Sequence, residues 1–573
     1  MTVQTGKVLR VNGPVVEIGG LENVATAELV EVGDDRLPGE AVAIRDGVIT
    51  AQVYAYTGGL ARGATASALG MPLSVALGPG LLGGVFDGTM QRLDGAPDFL
   101  GTARLSQGGT RRWHLIPRAT VGDELTPGAL LGTIQETLVI EHRLLVPPGV
   151  AGRLSWLATE GEHSAEERLA TVGTADVGLL NDWPVRQARP VAERLHAAAP
   201  LVTGQRVLDL LYPIAKGSSA CVPGGFGTGK TLLLQQIAKW SDADVIVYVG
   251  CGERGNEMAD VLEELPRLVD PRTGRPLMDR TIVIANTSNM PVMAREASIY
   301  SGVTVAEYFR DMGYHAIVIS DSTSRWAEAL REFASRTGQL PAEEGYPASL
   351  SSALAAFYER AGAVETLGGA KASVTVIGAV SPPGGDTTEP VTAHTTRFVR
   401  SLWSLDRDLA YARHYPAVGW TGSFSRDAER LGAWQAAHGD PLWSARRERV
   451  IALLGESDRL RSMAELVGTT ALPDRERIVL LTADLVQQAV LQQSALNPND
   501  AHCEPAKQAA LMDAVLQVYN LCLELIQAKV PASLIEGVDM SQLVRAKEAG
   551  GPDDIQAANS ARDSVLAQLE AIR

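Results

Sequence analysis

The sequence predicts a multidomain α/β protein. It should carry an N-terminal β-barrel, a second all-β module, a parallel α/β domain and a C-terminal α-helical domain. Three observations carry this. A glycine-rich loop, Gly224-Gly225-Phe226-Gly227-Thr228-Gly229-Lys230-Thr231, stands between a strand-like run and a helical one. Near-continuous Val/Ile runs follow it, separated by helical segments, as in a parallel sheet covered on both faces. The chain of 573 residues exceeds what one core supports, and about three or four domains are expected.

Residues 1–68 alternate apolar and polar positions. Val8-Leu9-Arg10-Val11 and Val15-Val16-Glu17-Ile18 flank Asn12-Gly13-Pro14, and Ala41–Ile44 and Ile49–Tyr54 flank Arg45-Asp46-Gly47. This hairpin patterning predicts a small barrel. Residues 69–107 are rich in Gly and Pro and read as a connecting segment with tight turns. Residues 108–185 return to β patterning between Gly/Pro clusters and predict the inserted module. Residues 186–430 carry the strands Asp244–Gly250, Thr281–Ala285, Ala316–Asp321 and Ala372–Gly378. In such sheets ligands sit at the carboxyl ends of strands, where the glycine-rich loop, Glu253 and Asp321 fall. Residues 431–573 predict helices over Trp443–Leu454, Arg475–Leu496, Ala506–Lys529 and Ile555–Ile572, punctuated by Pro498, Pro505 and Pro531.

Apolar content of 45% and charged content of 21% are ordinary for a globular chain. The formal charge of −16 repels nucleic acid and anionic membranes unless a local basic patch overrides it. No apolar run is expected to reach the roughly 18 residues of a membrane span. Met1–Lys7 has no signal-peptide apolar stretch. Cys221, Cys251, Cys503 and Cys522 lack metal spacing and fit reduced thiols in a cytosolic protein.

The loop fits G-x-x-x-x-G-K-[ST] in its required strand–loop–helix context. Its glycines let consecutive N–H groups face one anion, and the helix start adds its positive dipole end. Lys230 can reach β and γ phosphates, and the Thr231 hydroxyl can face Mg²⁺. Asp321 ends a buried strand, the position from which a carboxylate holds Mg²⁺; it could also cap the helix that follows. Glu253 is the best-placed carboxylate to orient and polarise an attacking water. Arg254 could neutralise charge on the transferred phosphoryl group. Both could instead be a solvated loop pair. Arg325, four residues past Asp321, could face phosphate or pair with an acidic neighbour. Tyr415 follows the strand expected at Asp408–Ala412. It could stack on a base, although on its residues alone a core tyrosine fits better.

Several longer stretches point to a family. They are Gly224–Thr231, Gly250-Cys251-Gly252-Glu253-Arg254-Gly255-Asn256-Glu257-Met258, Ala285-Asn286-Thr287-Ser288-Asn289-Met290-Pro291, Asp321-Ser322-Thr323-Ser324-Arg325-Trp326-Ala327-Glu328-Ala329, Pro341-Ala342-Glu343-Glu344-Gly345-Tyr346-Pro347 and Ser381-Pro382-Pro383-Gly384-Gly385-Asp386. Together they resemble the catalytic A subunit of V-type and archaeal-type rotary ATPases, over nearly the whole chain. The resemblance implies an N-terminal β-barrel, an inserted bulge domain, a RecA-like P-loop domain and a C-terminal helical domain. It implies ATP hydrolysis or synthesis coupled to H⁺ or Na⁺ translocation, with ATP/ADP and Mg²⁺ bound. It assigns Lys230 and Thr231 to phosphate and Mg²⁺, Glu253 to the attacking water, Arg254 to phosphate, Asp321 to the metal and Tyr415 to adenine. It implies a non-catalytic B-type subunit that alternates with this one in an A3B3 hexamer, rotor and peripheral-stalk subunits, and a membrane ion-translocating sector. The chain would then lie at the cytoplasmic face of a membrane.

The chain departs from the family at three points. Gly225 stands where the family commonly has Pro, which predicts a looser loop. Leu496 stands where an adenine-side aromatic follows Gln492-Gln493. Thr228 replaces the Cys of eukaryotic members, so no thiol switch is expected there.

Three other classes fit the sequence less well. The charge and the lack of a basic, aromatic RNA-binding strand set argue against a nucleic-acid motor. The module at 108–185 argues against an export ATPase, and intact Lys230, Thr231 and Glu253 argue against a non-catalytic ring subunit.

Overall fold

The structure, a computed structural model, describes residues 5–94 and 111–573. Residues 95–110, which end the expected connecting segment and begin the second β module, lie outside the described residues. The chain forms two compact units. One holds residues up to 196 with 243–380 and 388–398; the other holds 197–242, 381–387 and 399–573.

In the first unit a closed six-stranded barrel runs in the order Thr5–Asn12, Val15–Gly19, Val48–Val53, Leu37–Arg45, Glu28–Val32, Thr65–Pro72. Alternation puts Val8, Val16, Ile18, Val30, Ile49 and Ala51 inside. The hairpin at Asp46-Gly47 needs positive φ at both residues, 51° and 73°, the type I′ geometry that suits twisted strands. The inserted module is two four-stranded antiparallel sheets around Trp113, Leu115, Leu131, Leu154 and Leu169.

The segment expected only to connect does more. Ser74–Leu77 pairs antiparallel with Asn181–Pro184, and Val85–Phe86 pairs parallel with Val283–Ile284. Strands of four and two residues between Pro72 and Gly88 are too short to register as a period in sequence.

The first unit's main sheet places Lys371–Val380, His315–Asp321, Val245–Glu253 and Thr281–Thr287 side by side, all parallel. Its strands are buried nearly throughout, as their Val/Ile runs require. Each such side chain contributes about 1.5–3 kcal/mol on burial. Helix Val292–Asp311 packs across this sheet, buried along most of its length. Charges buried here are paired, as burial demands. Arg186 bridges Glu40 at 2.7 Å and Glu296 at 2.6 Å, and Arg360 holds Glu307 at 2.6 Å.

In the second unit the buried strand Ser219–Pro223 pairs parallel with Ser401–Leu402, which pairs antiparallel with Phe424–Ser425. Helices Lys230–Trp240, Ala428–Ala437, Trp443–Val467, Asp474–Leu485, Pro505–Gln527, Ser541–Ala549 and Gln556–Glu570 make up most of the rest.

Three expectations need correction in this unit. Asp408–Ala412 is not a strand: Arg407–Tyr411 is a short helix, capped by Asp406, whose carboxylate accepts the N–H groups of Asp408 and Leu409 at 2.8 and 3.0 Å. The helix expected to reach Leu496 ends in a π-helical turn at Val486–Leu491. There the buried Arg206 takes the carbonyls of Val490 and Gln492 at 2.5 and 2.7 Å. Finally, Pro505–Gln527 contains an 18-residue window of mean hydropathy 1.5, long and apolar enough to cross a membrane. Half of that window is buried, and the helix packs on Asp474–Leu485 and Gln556–Glu570, which accounts for its apolar content.

Candidate active site

The glycine-rich loop leaves the buried strand Ser219–Pro223 and enters helix Lys230–Trp240. Gly224 has no room for a side chain: a Cβ there would lie 2.8 Å from Thr228 Oγ1 and 2.9 Å from Leu405 Cδ1. Gly227 and Gly229 both take left-handed φ, 78° and 83°, which costs glycine nothing. Gly229 is the N-cap and brings no capping side chain, so the positive helix end faces the loop. The Thr228 hydroxyl donates to the Gly225 carbonyl at 2.8 Å and closes the turn. Phe226 is exposed. Lys230 Nζ donates to the Ser381 hydroxyl, at the start of the Ser381–Asp386 stretch.

Gly225, the departure from the family pattern, has a local counterpart. A Cβ there would lie 3.0 Å from Arg407 Nε and Nη2, and one on Gly385 would lie 2.9 Å from Arg407 Nη2. A side chain at 225 would therefore crowd the Arg407 guanidinium.

Beside the loop lies a cavity of about 310 Å³, lined by Gly229, Leu233, Tyr415, Gln492, Leu496 and Lys547 among others. The Tyr415 ring is half-buried and packs on the loop; a Cβ on Gly229 would meet it at 3.1 Å. Leu496 is 95% exposed, so it stands at the rim without the contact area of a ring. The backbone of Gln493 donates to the Tyr415 carbonyl at 2.8 Å. His414 is pushed down to about 4 by burial and the nearby Lys547.

The remaining predicted residues belong to the first unit. The strand carrying Glu253 does not stop at Gly250 but runs to Glu253 itself. A bulge between Cys251 and Glu253 shifts its register against Asn286 and Thr287, and Gly252 takes φ 71°. Bulges re-aim side chains at strand ends. Glu253 is half-buried; Arg254, exposed, is the N-cap of helix Gly255–Glu264. Asp321 ends the neighbouring strand in register with Gly250 and is buried. The Tyr248 hydroxyl lies 3.5 Å from Asp321 Oδ2; burial first, then Asp321, raises the Tyr248 pKa. Ser322, not Asp321, is the N-cap of helix Thr323–Arg336. Arg325 pairs with Glu328 at 2.8 Å. The structure thus brings Glu253 and Asp321 onto adjacent strand ends, and Tyr415 onto the glycine-rich loop.

Sequence reasoning gave no role to Ser381, Arg407, Arg206 or Arg295. Ser381 opens a Pro/Gly-rich turn after a buried strand, the one local signal among them. The three arginines act through contacts distant in sequence.

Four family models match the chain. They are the ATP synthase alpha/beta family β-barrel domain over 8–70, the alpha/beta subunit barrel-sandwich domain over 106–186, the alpha/beta family nucleotide-binding domain over 204–425, and the C-terminal domain of V and A type ATP synthase over 432–535. The V-type ATP synthase alpha chain of Nitrosococcus oceani is 50% identical, covering 95% of this chain and 93% of its own. The A subunit of the A-type ATP synthase of Hyperthermus butylicus is 47% identical, covering 92% and 90%. The V-type ATP synthase alpha chain of Anaeromyxobacter dehalogenans is 47% identical, covering 99% and 100%. The chain belongs to the family of V-type ATP synthase alpha chains and A-type ATP synthase A subunits, the catalytic, nucleotide-binding subunits of rotary ATPases that couple ATP to ion translocation.

Proposed function

We propose that this chain performs phosphoryl chemistry with Lys230, Thr231, Glu253, Arg254 and Asp321. The observation that carries the proposal is the loop itself. Two left-handed glycines bend it, no side chain caps the helix behind it, and Lys230 is that helix's first residue. Backbone N–H groups of Gly224–Thr231 and the Lys230 ammonium bind the β and γ phosphates of ATP. Thr231 and Asp321 would hold Mg²⁺. Mg²⁺ keeps waters and phosphate oxygens and needs about one or two protein oxygens, which a hydroxyl and a carboxylate would supply. When bound, it neutralises charge on the phosphate oxygens.

Glu253 orients the attacking water and polarises it as the bond to the γ phosphorus forms. Arg254 offsets negative charge on the transferred group. Tyr415 stacks on the adenine, with Leu496 giving an aliphatic contact at the rim. Arg325, which pairs with Glu328 at 2.8 Å, is assigned to the nucleotide side.

The wider assembly is also a proposal, supported by family membership. Non-catalytic B-type subunits take alternate places with this chain in an A3B3 ring, and each contributes an arginine to a neighbouring site. Rotor and peripheral-stalk subunits link the ring to a membrane sector that moves H⁺ or Na⁺. The chain lies at the membrane's cytoplasmic face. Lys230→Ala tests the site. It should abolish ATP turnover in the assembled complex while leaving the chain folded, and turnover near wild type would remove the loop from the reaction.

A further inference from the structure

We propose that Arg295 is a positioning residue for catalysis, holding the Cys251–Glu253 bulge so that Glu253 meets the attacking water. The inference rests on the reading of Glu253 given above.

Arg295 lies in the first turn of helix Val292–Asp311 and is 9% exposed, rare for an arginine. Its Nη2 donates to the Ser288 carbonyl at 2.8 Å. Its Nε is buried and makes no hydrogen bond among the described residues. A buried donor left without an acceptor is costly. What that cost secures is visible in the surroundings.

Three links join Arg295 to the bulge. Its stem lies on Gly252, where a Cβ would come within 2.6 Å of Arg325 Cβ, 3.0 Å of Arg295 Cδ and 3.2 Å of Arg295 Nε. Its backbone carbonyl accepts the Cys251 thiol at 3.5 Å and the Ser298 hydroxyl at 2.7 Å. Ser288, gripped by Nη2, donates its own N–H to the Glu253 carbonyl at 2.9 Å. Cys251 is held by the backbone of Arg295, Gly252 by its stem, and Glu253 through Ser288. None of the three links uses the Glu253 carboxylate, which stays half-buried at the strand end.

A left-handed residue inside a bulge has several nearby conformations, and Glu253 hangs on that residue. Gly252 is left-handed at φ 71°, and the Arg295 stem, together with Arg325 Cβ, fills the space into which it could move. Water-orienting groups tolerate little error, since about 1 Å of misplacement can lower rate about 100-fold. A residue that removes the alternatives therefore acts on turnover and leaves the phosphate loop and base cavity unaltered.

The test uses the assembled complex and single-turnover phosphate release. Arg295→Met keeps an apolar stem on Gly252 and removes the Ser288 bond; Arg295→Ala removes both; Arg295→Lys can still reach the Ser288 carbonyl. Met should lower kcat at least about 10-fold, Ala further, and Lys should restore part of the loss. KM for ATP should stay within about twofold. In a Glu253→Gln background, Arg295→Met should add less than about twofold, because both changes act through one group. Wild-type kcat in Arg295→Met, or its full loss repeated in the Glu253→Gln background, overturns the inference alone. Wild-type turnover in Glu253→Gln itself overturns the reading of Glu253 and the inference with it.

Discussion

Replacing Arg206 with Met should destabilise the second unit and weaken nucleotide binding. Arg206 and Asp500 are both fully buried, with Nη1 and Oδ1 2.7 Å apart. The contact is an ion pair off the N–H axis, since Nη1 makes no aligned hydrogen bond. Nε and Nη2 donate to the carbonyls of Val490 and Gln492. Removing one member of a buried pair costs about 3–5 kcal/mol, because the other charge stays buried. Asp500 keeps the Ser494 N–H at 2.7 Å, which places the loss at the lower end. A loss of about 3 kcal/mol lowers the folded-to-unfolded ratio by about 100-fold. The Val490 carbonyl loses its side-chain donor and the Gln492 carbonyl keeps only the Lys547 ammonium at 3.2 Å; both belong to the turn that carries Gln492 into the base cavity, so ADP affinity should fall as well. Urea unfolding of the purified chain, followed by tryptophan fluorescence, reads the first effect; calorimetric ADP titration reads the second. Arg206→Met with Asp500→Leu should regain part of the stability, because no uncompensated charge remains. Stability within about 0.5 kcal/mol of wild type, or a double variant no better than the single one, would refute the reasoning.

Two other outcomes concern His414 and Tyr415. The folded pKa of His414, about 4, lies below the unfolded value of about 6.5, so the protonated ring is the form folding disfavours. Its contribution is intact above pH 6.5 and is lost as pH falls from about 6.5 towards 4. His414→Gln should flatten that part of a pH-dependent unfolding curve, and an unchanged slope would place the effect elsewhere. Tyr415→Ala should raise the Kd for ADP roughly 10-fold or more, since stacking on a base is worth about 1–3 kcal/mol; unchanged affinity would return Tyr415 to a packing role.

Much of this fold was legible because its signals are local. The barrel announced itself through alternation and Asp46-Gly47, the sheet through Val/Ile runs, and the phosphate loop through its spacing. The misreadings came where a distant contact decides the backbone. Gln492-Gln493-Ser494-Ala495 is as helix-compatible as what precedes it, and the helix ends there where Arg206 and Lys547, both distant in sequence, take the carbonyls of Gln488, Val490 and Gln492. Asp408–Ala412 has no period of its own, and Asp406 turns it into a capped helix. Val85–Phe86 becomes a strand because Val283–Ile284 offers it an edge. Within the site, residue types identified the groups suited to touch phosphate, metal and water. They could not reveal Arg295 or Arg407, whose roles come from the space that Gly252 and Gly225 leave open.

The most direct measurement is ATP affinity and turnover together in the Glu253→Gln complex. The amide keeps size and hydrogen bonding but cannot accept a proton or polarise water as a carboxylate does. Affinity should therefore stay within a few-fold, while kcat falls by roughly 10²–10⁴. Weakened binding with wild-type turnover at saturating ATP would contradict the account and leave Glu253 as a brace for its loop.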